Sequence, residues 1–196
     1  VDYFVYDVNK SKSQYYFFNV SLHDIKANQE KARRFFEPQN ILHLKTAEKY
    51  FYNRRFGKRT YEKSYTSGQE IGLIPKWINK SKKIIAIYPS SDDEYRFLSD
   101  SFKMKCLDQV NEIRKMGNIL RDFSNEFEIF VRMHPNMINM PKKTLKKYYD
   151  LEKENEIISV LKPLDPYDTY GILDSAFAVA GFCSSIIFES AYYQKN

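Results

Sequence analysis

Residues 175–190 read SAFAVAGFCSSIIFES. A run of small and apolar residues from Ser175 to Ala180 leads into Gly181, two serines follow, and an amphipathic pattern comes next. A continuous apolar strand that is followed closely by a helix is typical of parallel sheets, in which both faces are covered. The stretch therefore predicts a strand that ends near Gly181 and a helix that begins near Ser184.

The same strand–helix order recurs upstream. The predicted strands cover residues 82–89, 127–133, 156–162 and 175–181. The predicted helices cover residues 103–123 and 141–155, a short segment within 165–174, and residues 184–194. No hairpin turn separates these strands, so the pattern predicts an α/β domain with a doubly wound, Rossmann-like parallel sheet.

The first third of the chain has a different pattern. Two strand-like runs, DYFVYDV and YYFFNV, come before a helix that starts at Ser21 or Asp24 and ends by Phe36. A second helix is predicted from Leu42 to Phe56, followed by a polar loop. We place a domain boundary near Ile78, so that residues 1–79 form a partial amino-terminal domain and residues 80–196 form the sheet domain.

Composition restricts the classes of function. The chain has 43% hydrophobic and 29% charged residues, two cysteines and a net charge of +6. These values are ordinary for a globular protein of a reducing compartment, and acidic partners such as nucleotides, nucleic acid or an anionic membrane surface would suit the charge. The charges are also scattered, as on an ordinary solvated surface. We expect no signal peptide, and because the sequence begins at Val1 we expect it to be a piece of a longer protein.

The end of the last predicted strand suggests an anion site. Ligands of doubly wound sheets bind beyond the carboxyl ends of the strands. There Gly181 would allow close backbone approach, while Ser184 and Ser185 would offer hydroxyl and backbone donors to a phosphate. Glu189, one helical turn further on, could accept hydrogen bonds from a ribose. The alternative is that serine simply caps the helix and Glu189 is solvated.

Two other strand ends are also polar. In FVRMHPN, Arg132 and His134 alternate along a strand, and the proline after His134 favours an extended backbone at the rim. His134 could act as a general base or could donate to a phosphate oxygen, although a lone histidine is more often structural. Asn136 completes this polar strand end.

The third polar strand end reads PSSDDE, residues 89–94. Ser90 and Ser91 could lie under a ligand, or Ser91 and Glu94 could form a capping box at a helix start. Asp92, Asp93 and Glu94 are adjacent, without a second cluster of ligands at metal-binding spacing. The sequence therefore gives little support for a metal site.

Three segments together resemble a known family: KKIIAIYPSSDDE, FEIFVRMHPN and LDPYDTYGILDSAFAVAGFCSSIIFESAYY. Their order and spacing resemble the nucleotide-binding half of GT-B glycosyltransferases of bacterial capsule and surface-polysaccharide synthesis. The enzymes that the chain resembles include the CDP-glycerol glycerophosphotransferase-like group. The resemblance covers residues 80–196, and residues 1–79 only loosely.

This resemblance implies specific roles. Ser184 and Ser185 would bind the donor diphosphate, Glu189 would lie near the ribose, and His134 would be the catalytic residue at the phosphates or reacting centre. The remaining donor-binding candidates are Gly181, Arg132, Asn136, Ser90, Ser91 and Glu94. The family typically needs no cofactor and no bound metal, and it works in the cytoplasm, in some cases against the inner face of the membrane.

The expected partners are a nucleotide-activated donor and a glycan or lipid-linked acceptor, without nucleic acid. The resemblance also has departures. The family has two similar domains, with the acceptor and often the catalytic base on the first, acceptor-side domain, and it usually continues beyond AYYQKN with a further strand. We therefore expect a truncated enzyme that lacks part of both domains.

Two other functions stay open. A nucleotide-sugar 2-epimerase shares this architecture, but it would need further carboxylates and a different glycine-rich serine turn. A basic nucleic-acid-binding module could use the many tyrosines for stacking, and its binding would depend steeply on salt. The apolar spacing of residues 1–60 favours core packing over a stacking surface.

Overall fold

A computed structural model describes residues 4–9, 14–18, 25–35, 40–56, 65–78, 81–91, 108–182 and 184–194. The chain divides into two compact units, Val1–Tyr65 with Asp100–Phe102, and Thr66–Ser99 with Lys103–Asn196. Residues 66–78, here named the connector, therefore belong to the same unit as the sheet. The division between the units comes before Thr66, whereas the sequence suggests a boundary near Ile78. The role of residues 1–79 as an acceptor-side domain stays a prediction.

The first unit contains two strands and two helices in its described part. Strands β1 (Phe4–Asn9) and β2 (Gln14–Phe18) pair in antiparallel fashion. Helix α1 covers Ile25–Phe35, and α2 covers Ile41–Arg55. The side chain of Asn40 caps α2 by accepting from the backbone N–H groups of the second and third residues after it. These elements agree with the pattern of the sequence.

The second unit is built on four strands. Strands β3 (Lys83–Tyr88), β4 (Phe127–Arg132), β5 (Ile158–Leu161) and β6 (Ala178–Gly181) form one sheet in the order β5-β4-β3-β6. Every neighbouring pair in that sheet is parallel. The sheet thus confirms the α/β, Rossmann-like fold class that the apolar runs predict.

Helices cover both faces of the sheet. Helices α3 (Gln109–Leu120) and α4 (Lys142–Glu154) pack on one face, and α5 (Thr169–Ser175) and α6 (Ile186–Tyr192) pack on the other. Alternate residues of each strand supply the two cores: in β3, Ile87 faces α3 and α4, whereas Ile84 and Ala86 face α5. This alternation confirms the doubly wound arrangement.

Two details differ from the sequence-based expectation. Helix α3 begins at Gln109, because Asp108 has non-helical φ and ψ of −115° and 85°, and residues 103–107 of the predicted helix lie outside the described residues. The Asp108 carboxylate accepts from the Asn111 N–H at 3.0 Å and so caps the helix. A short 3₁₀ turn at Pro135–Asn139, which the sequence pattern does not show, separates β4 from α4.

The connector is tied to the start of α5 by backbone hydrogen bonds. The Asp168 N–H donates to the Leu73 carbonyl at 2.7 Å, and the Gly72 N–H donates to Asp168 Oδ2 at 2.8 Å. Gly72 has a φ of 81°, where a residue without a side chain is favoured. The Thr169 N–H donates to Gln69 Oε1 at 2.7 Å. These bonds explain why the connector belongs with the sheet unit.

None of the helices in the described ranges is both long enough and apolar enough to cross a membrane.

Candidate functional site

The strand order places a topological switch point between β3 and β6. From β3 the chain moves outward to β4 and β5, and it then returns to the other side of β3 to form β6. The next helix after β3 packs on one face of the sheet, and the helix after β6 packs on the opposite face. A crevice at the carboxyl ends of such a strand pair is where ligands of this fold bind. The described segments at these strand ends are residues 89–91, 181–182 and 184–185.

At the end of β3, the two predicted serines are buried. Ser90 is 3% exposed and Ser91 is 1% exposed. The Ser90 N–H donates to Gln109 Oε1 at 2.9 Å, and Gln109 Nε2 donates back to the Ser90 carbonyl at 3.1 Å. Gln109, at the first position of α3, therefore fixes the backbone beneath the crevice. Glu94 lies outside the described residues.

Gln109 was not among the predicted site residues. It is buried and binds both backbone polar groups of Ser90. Its place at the start of a helix that follows the first strand of the sheet is the one signal that could have indicated it. A glutamine at that position can reach back to the preceding turn with both a donor and an acceptor.

At the end of β6, Gly181 is required by packing. A Cβ atom there would lie 2.7 Å from the side chain of Ile187 and 3.3 Å from the Tyr88 carbonyl oxygen. Ser184 is half-buried and Ser185 is exposed, so both lie where a ligand could reach them. Helix α6 has seven residues. Its helix dipole is therefore smaller than that of the predicted helix over residues 184–194.

Glu189 faces the interior of the sheet unit. It is 2% exposed, and its Oε2 accepts a hydrogen bond from the Tyr170 hydroxyl, which is also buried. The carboxylate thus joins α6 to α5 on one face of the sheet. The predicted contact with a ribose would require this pair to open.

The Arg132 side chain donates to backbone carbonyl groups. Its Nη1 donates to the Lys162 carbonyl at 2.7 Å, and its Nη2 donates to the Asp165 carbonyl at 2.9 Å. Its Nε has no partner among the described residues. Burial lowers the pKa of Arg132, and the nearby carboxylate of Asp165 opposes that shift. In this arrangement Arg132 holds the loop between β5 and α5, which is a supporting role.

His134 lies at the rim, as the sequence predicts for the residue before Pro135. Its backbone is extended, with φ −65° and ψ 136°, and its Nδ1 accepts from the Asn136 N–H at 3.2 Å. When one nitrogen of a neutral imidazole accepts, the other carries the proton, so Nε2 is the donor. Of the two predicted roles, this geometry favours a hydrogen-bond donor over a general base.

The described residues contain no cluster of three His, Cys, Asp or Glu side chains that could hold a metal ion. Comparisons of the chain with protein-family models, with curated proteins and with solved structures find no match.

Proposed function

We propose that the sheet unit binds a nucleotide-activated sugar or polyol-phosphate donor, and that the chain is part of a metal-independent GT-B-type glycosyltransferase or glycerophosphotransferase. The reaction would serve the synthesis of a bacterial capsule or surface polysaccharide. The observation that carries this proposal is the topological switch point, at which the ends of β3 and β6 lie side by side. His134 follows β4, the strand on the other side of β3.

The accessible polar groups at this edge are suited to phosphate. Ser184 and Ser185 are half-buried and exposed, respectively, and would donate to the donor phosphates. His134 would donate through Nε2, since its Nδ1 is occupied by the Asn136 N–H. Each of these groups can donate a hydrogen bond, as the binding of a phosphate requires.

The proposed chemistry is group transfer. An acceptor hydroxyl oxygen forms the new bond, and the nucleotide leaves with the electron pair of the bond that breaks. Negative charge then develops on the leaving phosphate, where preorganised donors lower the barrier most effectively. The proton of the acceptor hydroxyl would pass to a base outside the sheet unit, as the resemblance implies.

The buried members of the predicted set have a different part in this proposal. Arg132 and Glu189 hold loops and helices around the crevice through the Lys162 and Asp165 carbonyls and through Tyr170. Preorganised supports of this kind keep the ligand-binding groups in place without touching the ligand.

The test is calorimetric titration of the full chain with CMP, CDP, UDP and GDP. We expect one nucleotide to bind selectively, and Ser185→Ala to weaken its binding by about 1.5–3 kcal/mol, typical of a hydrogen bond to a charged group. That loss corresponds to roughly 10- to 150-fold in affinity. Ser175→Ala is the matched control, because Ser175 is exposed at the end of α5 and its hydroxyl bonds the Gly171 carbonyl.

Two outcomes would contradict the proposal. Equal affinity in Ser185→Ala and in the wild type would remove the serine from the site. Binding of single-stranded RNA that is tighter than binding of any nucleotide, and that fades with salt, would favour the nucleic-acid-binding module.

A further inference from the structure

The two edge strands of the sheet, β5 and β6, differ in what their outward backbone groups bind. In β5, residues 158, 160 and 162 have their N–H groups on the outer side, since Met133 of β4 donates to the Leu161 carbonyl on the inner side. Each outward N–H group has an acceptor in the same unit: the Asn155 carbonyl for Ile158 at 3.0 Å, Glu152 Oε1 for Val160 at 2.6 Å, and Asp165 Oδ2 for Lys162 at 2.7 Å. The β5 edge is therefore closed to another strand.

The outer edge of β6 is different. The Phe182 N–H donates to the Tyr88 carbonyl of β3 at 3.3 Å. Because backbone groups alternate in direction along a strand, the N–H and C=O groups of Val179 and Gly181 point away from β3. In the part of the chain that the structure describes, these outward groups form no hydrogen bond. They are donors and acceptors ready to pair with a further strand.

The outer edge of β6 also lacks the features that usually keep edge strands apart. Charged side chains, above all lysine, and proline protect many such edges. Residues 176–182 read AFAVAGF, without a charge or a proline, and the side chains of β6 are half-buried. Next to the strand, Phe177 is 47% exposed, and Phe188 of α6 is 76% exposed. The edge is thus apolar as well as open.

We propose that the outer edge of β6 pairs in antiparallel fashion with the same edge of a second copy of the chain, which gives a two-fold symmetric dimer with one continuous sheet. The outward groups fit each other in one register. Val179 of one copy exchanges both N–H···O=C bonds with Gly181 of the other, on each side of the axis. Ala180 then lies opposite Ala180 of the second copy, where Cα atoms are about 4.5 Å apart.

The side chains of β6 are complementary in this register. Val179 lies opposite Gly181, and Ala178 lies opposite Phe182 of the second copy, so each larger side chain meets a small one. At the axis the two alanines are small enough for the close approach of such a pair. Cross-strand pairs of this kind stabilise a sheet. Because the pattern is its own complement, it favours a second copy of this chain over an unrelated strand.

The closed β5 edge limits the assembly to two copies. If both edges were open, β5 of one copy could pair with β6 of the next, and head-to-tail contacts of that kind produce open filaments. Since β5 is blocked by acceptors of its own chain, β6 can pair with another β6 but not with β5. The contact is therefore isologous, and the assembly closes as a dimer.

The dimer does not depend on the proposed function. Pairing uses the outer side of β6, whereas the proposed donor site lies on the inner side, at the ends of β3 and β6. A dimer that binds no nucleotide, or a monomer that binds one, would separate the two proposals. A further strand, which the resemblance implies beyond residue 196, would take the same edge, so the proposal concerns the chain of 196 residues.

The first test is light scattering on the full chain, measured during size-exclusion chromatography over a range of concentrations. We expect the mass to rise with concentration from 23.4 kDa to twice that value and no further. Val179→Pro removes an outward N–H group, at a position where an edge strand tolerates proline, and should stay monomeric. Val179→Ala is the matched control, because it truncates the same side chain but keeps the N–H group, and it should dimerise.

The second test reads the register through a disulfide, in a chain whose native Cys106 and Cys183 are replaced by serine. Ala180→Cys places two thiols across the axis at a Cα separation that a disulfide can span, so air oxidation should give a covalent dimer on a non-reducing gel. Ala178→Cys is the control on the same face of the same strand. Its two copies lie about 14 Å apart in this register, too far for a disulfide.

Three results would overturn the proposal. The first is a wild-type chain that stays at the mass of one copy at every concentration. The second is a dimer that persists in folded Val179→Pro, or that links Ala178→Cys as readily as Ala180→Cys, because another surface or register would then hold it. The third is a mass that grows beyond two copies. Urea unfolding followed by Trp77 fluorescence shows whether each variant is folded, and if Val179→Pro is not, the two cysteine variants decide.

Discussion

Replacement of Arg132 by methionine tests whether this buried arginine supports the β5–α5 loop. Methionine keeps the apolar stem but leaves the carbonyl oxygens of Lys162 and Asp165, at 2.7 and 2.9 Å from the guanidinium, without their donor. Each abandoned acceptor costs about 1–3 kcal/mol, and partial access of water to this loop favours the lower part of that range. Relief of the buried charge offsets a further part. We therefore expect Arg132→Met to lower the free energy of unfolding by about 2–4 kcal/mol.

The assay is urea unfolding followed by the fluorescence of Trp77, the single tryptophan of the chain. Trp77 lies in the connector and contacts Tyr167 with ring centres 5.5 Å apart, so its signal reports on the sheet unit. Arg114→Met is the control, because Arg114 makes a shorter contact, 2.6 Å, with Glu154 but at an exposed position. Exposed ion pairs contribute about 0–1 kcal/mol, so this variant should change little.

The losses of stability of Arg132→Met and Arg114→Met, compared with each other, test whether burial makes the contacts of Arg132 important. If the shorter ion pair of Arg114 proved as costly to remove as the contacts of Arg132, burial would not be the controlling factor, and the supporting role of Arg132 would be refuted. Arg132→Lys adds a finer test. A lysine ammonium is a point charge that cannot span two carbonyls with a rigid fork, so its loss of stability should lie between those of the wild type and Arg132→Met.

Three more variants test other parts of the sheet unit. Gly117→Ala places a Cβ atom 2.6 Å from Ile158 Cδ1 and should destabilise the unit by about 1–2 kcal/mol in urea unfolding, whereas Gly68→Ala, with nothing within 4 Å, should stay within about 0.5 kcal/mol. Burial raises the pKa of Tyr88, so the stabilisation that it contributes is complete below about pH 10 and is lost progressively above it. Tyr88→Phe should therefore make the fall in the free energy of unfolding above pH 10 shallower by up to about 1.4 kcal/mol per pH unit. An equal fall in the variant and in the wild type would contradict this. Asp168→Ala removes the cap of α5 and a hydrogen bond to the connector, so it should lower the free energy of unfolding by about 1–3 kcal/mol. It should also speed tryptic cleavage within the connector. An unchanged cleavage rate would show that Asp168 does not hold the connector in place.

The sheet could be predicted from sequence because buried parallel strands read as continuous apolar runs. The apolar runs around Ile85, Ile129 and Val179 each form a strand of the sheet. The start of α3 could not be read in the same way, since its apolar spacing extends upstream of Asp108. The helix begins where the Asp108 carboxylate caps the backbone, and apolar periodicity does not predict that local hydrogen bond.

The connector shows a different limit of sequence reasoning. Residues 66–78 contain two glycines and a proline, which is typical of a link between domains. The Gly72 N–H nevertheless donates to Asp168 Oδ2, and the Gln69 side chain accepts from the Thr169 N–H, although these partners lie about a hundred residues away. Local composition does not contain information on such a distant partner, so the pattern placed the boundary near Ile78.

The sequence predicts which polar residues follow the strands, but it does not predict how their side chains are oriented. Arg132 ends β4 and Ser185 directly precedes α6, so both lie at the carboxyl edge of the sheet. The same polar groups can either face the crevice or bind the backbone of the loops that surround it. Arg132 binds two carbonyls, whereas Ser185 is exposed, and only the packed structure distinguishes the two cases.

Under the proposed function, that distinction predicts two kinds of residue at this edge. Arg132, Gln109 and Asp168 all bond to backbone groups of neighbouring segments, so their loss should reduce stability first and ligand affinity only as a consequence. Ser185 and His134 lie at the accessible rim, so their replacement should reduce ligand affinity while the free energy of unfolding changes little. A buried support and an exposed binding group thus give opposite patterns in paired measurements of unfolding and nucleotide binding. The burial of each residue predicts which pattern it will show.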